Sequence, residues 1–249
     1  MFRSFTRVKP IKQGRKGKYK MSDIIKCLTI EELYTLDETI AANLFKGKTY
    51  PWDVLPDISD FIVKLGAKLP ADKFDKRGDD IWIAKSATVF PSVYIKGPCI
   101  IDEDAEIRQC AFIRGKAIVG KGCVIGNSTE LKNVVIFNKV QVPHYNYVGD
   151  SILGFHSHMG AGSITSNVKS DKTLVVVKSA DGNIETGLKK MGAMLGDYVE
   201  VGCNSVLNPG TVIGRHTNVY PLSCVRGYVP HDSIFKDKDH VVAKNEKTE

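Results

Sequence analysis

From Ile83 onward a large apolar side chain recurs every six residues: Ile83, Val89, Ile95, Ile101, Ile107, Ile113, Val119, Ile125, Leu131 and Phe137. Four residues after each stand Ala87, Val93, Cys99, Ala105, Ala111, Ala117, Cys123, Thr129, Val135 and Gln141, nearly all of them small. The register returns near the C-terminus with Leu195, Val201, Leu207, Ile213, Val219 and Val225. A period of six matches neither the 3.6 of a helix nor the 2 of a strand. It is a repeat, and hexapeptide repeats build a parallel β-helix in which each unit is one short strand plus a corner. Three units close a triangular coil, with the large aliphatics stacked inside and the small residues where the walls converge. Residues 83–164 and 195–228 supply about six coils of roughly 18 residues each. The predicted fold is mainly β.

The pattern is different before residue 81. Leu33, Leu36, Ile40 and Leu44 follow helical spacing, Thr29 with Glu32 reads as a capping box, and Ile58, Phe61, Ile62 and Leu65 share a second helical face with Gly66 as its stop. This divides the chain into a leader at 1–20, a helical N-terminal region at 21–80, the β-helix at 81–230 and a charged tail at 231–249. The helical region is expected to pack against one end or face of the prism and to protect the last coil from edge pairing. Two interruptions mark the repeat. The register slips between Phe137 and Leu153, and a polar excursion at 166–192 carries Lys169, Lys172, Lys178, Lys189 and Lys190. Loops that project from a repeat scaffold often carry binding residues.

Composition changes the picture in one place. The formal charge is +7, from 35 Lys and Arg against 28 Asp and Glu. Yet residues 1–20 hold Arg3, Arg7, Lys9, Lys12, Arg15, Lys16, Lys18 and Lys20 and no acid, so the rest of the chain has one more acid than base. A near-neutral body argues against nucleic acid as a partner, which requires a basic face. The leader reads as disordered. It lacks the apolar stretch of a secretory signal, and no apolar run reaches the ~18 residues of a membrane span. Six cysteines are too few for a disulfide framework. The expectation is a soluble, cytoplasmic protein.

Three segments carry a resemblance: Ile125-Gly126-Asn127-Ser128-Thr129-Glu130-Leu131-Lys132-Asn133, Pro143-His144-Tyr145-Asn146-Tyr147-Val148-Gly149-Asp150, and Gly160-Ala161-Gly162-Ser163-Ile164-Thr165-Ser166-Asn167. They resemble the acetyltransferase half of the bifunctional N-acetylglucosamine-1-phosphate uridylyltransferase/glucosamine-1-phosphate acetyltransferases, within the hexapeptide acyltransferases. The excursion ending in Gly187-Leu188-Lys189-Lys190-Met191-Gly192-Ala193 is similar to the archaeal sugar-1-phosphate nucleotidylyltransferase/acetyltransferase version. The likeness covers about 83–228 and implies a left-handed β-helix, a homotrimer and acetyl-CoA as co-substrate. It implies His144 as catalytic base, Tyr147 and Asn167 as sugar contacts, and Arg114 and Lys132 as phosphate ligands. Ala161 and Gly162, with Cys203 further along, fall on coenzyme A contacts. Three positions depart from the family: an acceptor-binding Asn is His158, an expected Lys is Thr173 with Lys172 beside it as substitute, and a small-residue turn reads Val219-Tyr220-Pro221-Leu222.

The residue types suit that chemistry. An amine attacking a thioester must lose a proton, which a histidine near its ordinary pKa accepts. A backbone N–H in a Gly-rich turn stabilises the developing oxyanion, and Arg with Lys suits a phosphate monoester. A lone histidine is more often structural, and a solvated residue of any kind would suit position 114 or 132; the surrounding motif is what singles these out. Cys99 and Cys123 fall on the small buried register and read as core. His156 and His158 suggest a metal pair, but they lack the spacing and the third histidine of the trimeric carbonic anhydrases, so no metal is expected. The reading is an acyl-CoA-dependent N-acetyltransferase of an amino-sugar phosphate or related sugar amine. Nothing in 1–80 matches a nucleotide-binding α/β domain, so nucleotidyl transfer is not expected of this chain. The alternative is a non-catalytic sugar-nucleotide-binding or regulatory relative of the nucleotide-sugar pyrophosphorylases.

Overall fold

A computed structural model describes residues 25–244. The basic leader at 1–20 and the last five residues lie outside the described residues. From Ile81 the chain winds as a triangular parallel β-solenoid, because every sixth residue is an aliphatic that needs the same dry axis.

One face stacks Ile81–Ala84, Cys99–Ile101, Ala117–Val119, the second half of Glu130–Ile136, the second half of Tyr147–Leu153, Ala193–Leu195, Thr211–Ile213 and Tyr228–Val229. The second runs from Thr88–Val89 through Gln141–His144 to Ser233–Asp237. The third runs from Tyr94–Ile95 through Tyr147 and Ile164–Thr165 to Cys224–Val225. Every one of these pairings is parallel. The first face has eight rungs, so the stack is longer than six coils, and Ser233–Asp237, expected in the tail, pairs with Asn218–Val219 as the last strand of the second face.

Stepping by six fails in one instructive place. Ile101 pairs with Val119 at 18 residues, but Val119 pairs with Ile136 and Ile136 with Leu153, each 17 apart. Each of these two coils drops a residue at one corner, where Asn133 (φ 55°) and Asp150 (φ 49°) turn in the left-handed region. The inward residue is therefore Ile136, not Phe137, and the buried position four residues on is Val140, not the exposed Gln141, while Val142 stacks on Ile125. Phe137 is buried elsewhere, with its ring 5.1 Å from Tyr34 and 5.7 Å from Phe45.

That contact belongs to the N-terminal region, which covers the first face rather than an end. Ile58–Gly66 packs on Cys99–Ile101, Ala117–Val119 and Glu130–Ile136, and Pro51–Asp57 packs on Tyr147–Leu153. Much of the region is short 3-10 turns, so the expected long helix is only Ile30–Leu33 and Ile58–Gly66. The expected capping box is not formed. Thr29 Oγ1 instead donates to the Lys26 carbonyl at 2.9 Å, and Glu32 pairs with Lys26 at 3.2 Å. Gly66 is required by packing rather than by a turn, since a Cβ there would overlap the Trp82 ring. Buried Asp197 pins the region to the prism: its carboxylate accepts the Thr35 and Phe155 N–H groups, both at 2.8 Å, and its own N–H donates to the Leu33 carbonyl at 3.0 Å.

One edge strand at each end of the stack is covered by an antiparallel strand, Phe74–Lys76 on Ile81–Ala84 and His240–Ala243 on Ser233–Asp237. These strands, rather than the helices, cover the edges that would otherwise be free to pair with other chains. The excursion at 166–192 leaves the stack after Ile164–Thr165 and returns so that Leu195 sits directly on Leu153. It carries one hairpin, Val176–Ser179 with Gly182–Glu185. Among the described residues no helix is long and apolar enough to cross a membrane.

Candidate active site

His144 ends the strand Gln141–His144 at the corner between the second and third faces, and its side chain is exposed. The repeat fixes what lies above it. The Gly162 N–H donates to the His144 carbonyl at 3.0 Å, the Asn204 N–H to the Ala161 carbonyl at 2.8 Å, and the Leu222 N–H to the Cys203 carbonyl at 2.9 Å. His144, Ala161 and Cys203 therefore occupy one corner on successive coils, about 4.8 Å apart. The Ala161 N–H makes no hydrogen bond among the described residues, which leaves a donor directly above the histidine.

Glycine makes this corner possible. Gly162 has φ 71°, and a Cβ there would run into the Asn204 side chain; a Cβ on Gly126 would overlap the Pro143 carbonyl, which precedes His144. One residue holds the corner together and carries no signal in the hexad pattern. Asn146, 3% exposed, accepts the His144 N–H at 3.1 Å and donates to the Gly160 carbonyl at 2.8 Å, the Ser163 carbonyl at 3.0 Å and Ser163 Oγ at 3.1 Å. It was legible only as an Asn beside a residue of positive φ, Tyr145 at 51°.

The third face leads from this corner to a polar cluster at the next one. Asp150, 5% exposed, accepts Lys132 Nζ at 3.1 Å, Asn133 Nδ2 at 2.9 Å and Asn167 Nδ2 at 2.5 Å. Asn167 Nδ2 also donates to the Tyr147 hydroxyl at 3.1 Å. Lys132, Tyr147 and Asn167 thus come together around Asp150, at the corner where two successive coils drop a residue. Asp150 and Asn133, absent from the expected site, are its centre. Burial, then the nearby Asp150 and Glu130 carboxylates, raise the Tyr147 hydroxyl above the ordinary tyrosine pKa, so it stays protonated. Along the chain Tyr147 lies three residues from His144 and Asp150 six, roughly 10 and 20 Å of extended strand.

Arg114 stands one coil lower, over the Phe112 ring at 5.8 Å and paired with Glu130 at 2.6 Å, which raises the guanidinium above its ordinary pKa. With Lys132, Lys96, Tyr94 and Phe112 it lines a groove of about 570 Å³. Lys172 does not join the cluster. It sits at a turn of the excursion, exposed, with its N–H on the Lys169 carbonyl at 3.0 Å. Thr173 is engaged locally by Lys169 at 2.5 Å and Asp171 at 2.9 Å. His158 pairs with Glu200 one coil above at 3.0 Å, and Pro221 lies against the Gly202 backbone. Cys99 and Cys123 are fully buried core, and burial pushes both thiols up to about 12. His156 is not a ligand partner of His158; its ring stacks 5.6 Å from Tyr198, which stacks 4.8 Å from His216. Among the described residues no three His, Cys, Asp or Glu side chains come together as a metal site.

A hexapeptide-repeat solenoid with a histidine corner and a polar cluster one face away defines the class. Within it, the GMPPB C-terminal domain family matches residues 95–229, more than half of the chain, and the chain belongs to that family. It is 28% identical over 251 residues to the bifunctional sugar-1-phosphate nucleotidylyltransferase/acetyltransferase of Sulfurisphaera tokodaii, covering 93% of this chain and 58% of that protein. It is 28% identical over 247 residues to the bifunctional protein GlmU of Methanococcus maripaludis, covering 92% of this chain and 56% of that one. The Trichormus variabilis GlmU is 33% identical over 144 residues, 58% of this chain and 28% of the relative. The chain thus spans less than two thirds of the length of the curated relatives it matches. Among solved structures, a hexapeptide transferase family protein from Anaplasma phagocytophilum is similar at 16% identity and TM-score 0.38, over 66% of this chain and 79% of that one. PerB from Caulobacter crescentus, in complex with CoA and GDP-perosamine, is similar at 18% identity and TM-score 0.24, over 66% of this chain and 57% of that one.

Proposed function

We propose that this chain is an acetyl-CoA-dependent N-acetyltransferase of a sugar amine, with His144 as general base. The observation that carries the reading is the corner ladder, in which the exposed His144 lies one coil below the Ala161 N–H, with no competing partner on that donor among the described residues. A thioester carbonyl set against Ala161 would meet a donor for its developing charge; an amine attacking its carbon would lose a proton to His144, and collapse of the adduct would break the C–S bond and release coenzyme A as the thiol. Coenzyme A would then run up the corner past Gly162 and Cys203. Tyr147 and Asn167 would hold the sugar, and Arg114 and Lys132 its phosphate. Two named relatives of the chain support this, since one is a nucleotidylyltransferase/acetyltransferase and both are bifunctional. A homotrimer would place a second prism beside the ladder as the far wall of the groove.

The test is thiol release from acetyl-CoA across a panel of amino-sugar phosphates and amino-sugar nucleotides. Turnover is expected with at least one acceptor, and His144→Ala should lower it by roughly 10²–10⁴. Light scattering should give three copies per particle; a monomer would remove the second wall. One observation favours the alternative of a sugar-nucleotide-binding or regulatory relative. Glu130 and Asp150 already neutralise Arg114 and Lys132. Binding of a sugar nucleotide with no turnover on any amine is the outcome that selects it.

A further inference from the structure

The excursion at 166–192 is built as a wall. In its hairpin Val176 lies opposite Glu185 and Lys178 opposite Asn183. Val177 and Ile184 are fully buried on the inner side, so strand alternation puts Val176, Lys178, Asn183 and Glu185 together on the other side. The hairpin leans on the solenoid at two glycines. A Cβ on Gly227 would lie 2.8 Å from the Lys178 carbonyl oxygen, and one on Gly210 would lie 3.0 Å from that of Val176. Between this wall and the corner at Asn208, Pro209 and Arg226 is a cavity of about 910 Å³. Small-molecule sites fall in the range of roughly 300–1,000 Å³.

The close approach at Gly227 brings Lys178 beside Arg226, and among the described residues neither has a carboxylate partner. Arg114 and Lys132, by contrast, each have one. Two adjacent cations facing a concave, partly apolar space attract an anion more strongly than either alone. Arg supplies a fork of donors and Lys a point charge, a combination suited to phosphate. Farther along the wall Glu185 accepts hydroxyl donors and Asn183 serves as donor or acceptor. A carboxylate there disfavours a ligand that is anionic throughout and favours one with a phosphate at one end and hydroxyls at the other. At the mouth Lys169 and Asp171 pair with each other at 3.3 Å and contribute no net charge.

We infer that the cavity under the excursion is a second binding site, for a phosphorylated sugar, with the phosphate on Lys178 and Arg226 and the sugar hydroxyls on Glu185 and Asn183. It is distinct from the His144 corner and requires no turnover there. The experiment is titration calorimetry of the full chain with α-D-glucose 1-phosphate, which has no amine to acetylate, alongside glucose and inorganic phosphate. Saturable binding of glucose 1-phosphate is expected, weakened about tenfold or more by Lys178→Ala and by Arg226→Ala and unchanged by Lys64→Ala, which removes an exposed lysine far along the chain from the cavity lining. Glu185→Gln should weaken glucose 1-phosphate but not inorganic phosphate. Lys178 and Arg226 are exposed, so their variants keep the wild-type melting temperature. The proposal is overturned by an absence of saturable binding, by equal affinity for plain glucose, or by binding that Lys178→Ala and Arg226→Ala leave at wild-type strength.

Discussion

Asn146 hydrogen-bonds the Gly160 carbonyl at 2.8 Å while holding the His144 N–H at 3.1 Å, so one buried amide fastens two consecutive coils at the proposed active corner. Asn146→Ala leaves the His144 N–H and the Gly160 and Ser163 carbonyls without this partner. The expected cost is roughly 2–4 kcal/mol, or a Tm lower by roughly 5–12 °C for a chain of this size. A calorimetric scan measures it. His144→Ala, altering an exposed side chain, should leave the same scan unmoved, which separates a brace from a base.

Gly126 lies beneath Pro143 with no space for a side chain. Gly126→Ala pushes against backbone, which cannot swing away as a flexible side chain would, and should cost about 3 kcal/mol or more. Gly122→Ala is the comparison. Its position is open apart from Lys139 at 3.9 Å, so only the strain of φ 63° applies, about 1–2 kcal/mol. Equal denaturation midpoints for the two variants would contradict the packing argument.

Lys132 and Asp150 should be coupled. Asp150 is buried and Lys132 about one quarter exposed, so solvent screens the pair only in part. A double-mutant cycle with Lys132→Met and Asp150→Asn should give a coupling of roughly 1–2 kcal/mol in stability. Asp150→Ala should be worse than Asp150→Asn, because it also strands the Asn133 and Asn167 amides. In acetyl transfer, Lys132→Met should raise KM more than it lowers kcat if Lys132 holds the acceptor.

Cys203 offers a direct check on the coenzyme A path. It is exposed, as are Cys110 and Cys224, whereas Cys99 and Cys123 are buried with thiols near 12. Iodoacetamide under native conditions should modify the exposed cysteines and spare the buried pair. Acetyl-CoA should slow modification of Cys203 and leave Cys224 unaffected, as read by peptide mass spectrometry. Equal rates at Cys203 with and without acetyl-CoA would move the cofactor off this corner.

Asp197 gives the fold a pH dependence of unusual sign. Burial raises its carboxyl above the ordinary range, against the lowering effect of the Thr35 hydrogen bond and Arg215. A folded-state pKa above the unfolded one means the native state holds the proton more tightly. Its contribution to stability is therefore full below the unfolded value of about 3.9 and declines as pH rises toward the folded value. Asp197→Asn should remove that slope from urea midpoints measured from about pH 4 upward. It should also cost roughly 1–3 kcal/mol throughout, since an amide NH₂ replaces one of the two oxygens that accept the Thr35 and Phe155 N–H groups.

The solenoid was legible because a period of six admits no other common architecture and because nine successive positions, Ile83 to Leu131, obey it. What escaped was anything that the period does not encode. The missing residues at Asn133 and Asp150 shift the register by one without changing its apolar look, so Phe137 passed for an inward residue when its partner is Tyr34. Lys132, Tyr147 and Asn167 were legible from their motif, but Asp150, which gathers them, was not singled out. Asn146 was missed because a buried amide looks like a turn residue until its partners are seen. In the N-terminal region helical spacing pointed to continuous helix, yet Pro51 and Pro56 and the packing demands of one prism face break it into short turns.

The return of Leu195 onto Leu153 has a consequence for how such a protein diversifies. The stack closes as though 166–192 had never left it, so the stretch beyond Asn167, which is itself tied to Asp150 and Tyr147, is a cassette plugged into one rung. Its length and lining can drift while the rungs on either side keep their alignment. A new ligand preference under the wall can then arise without disturbing the histidine corner, and transplanting the cassette between relatives is a direct way to move that preference from one to another.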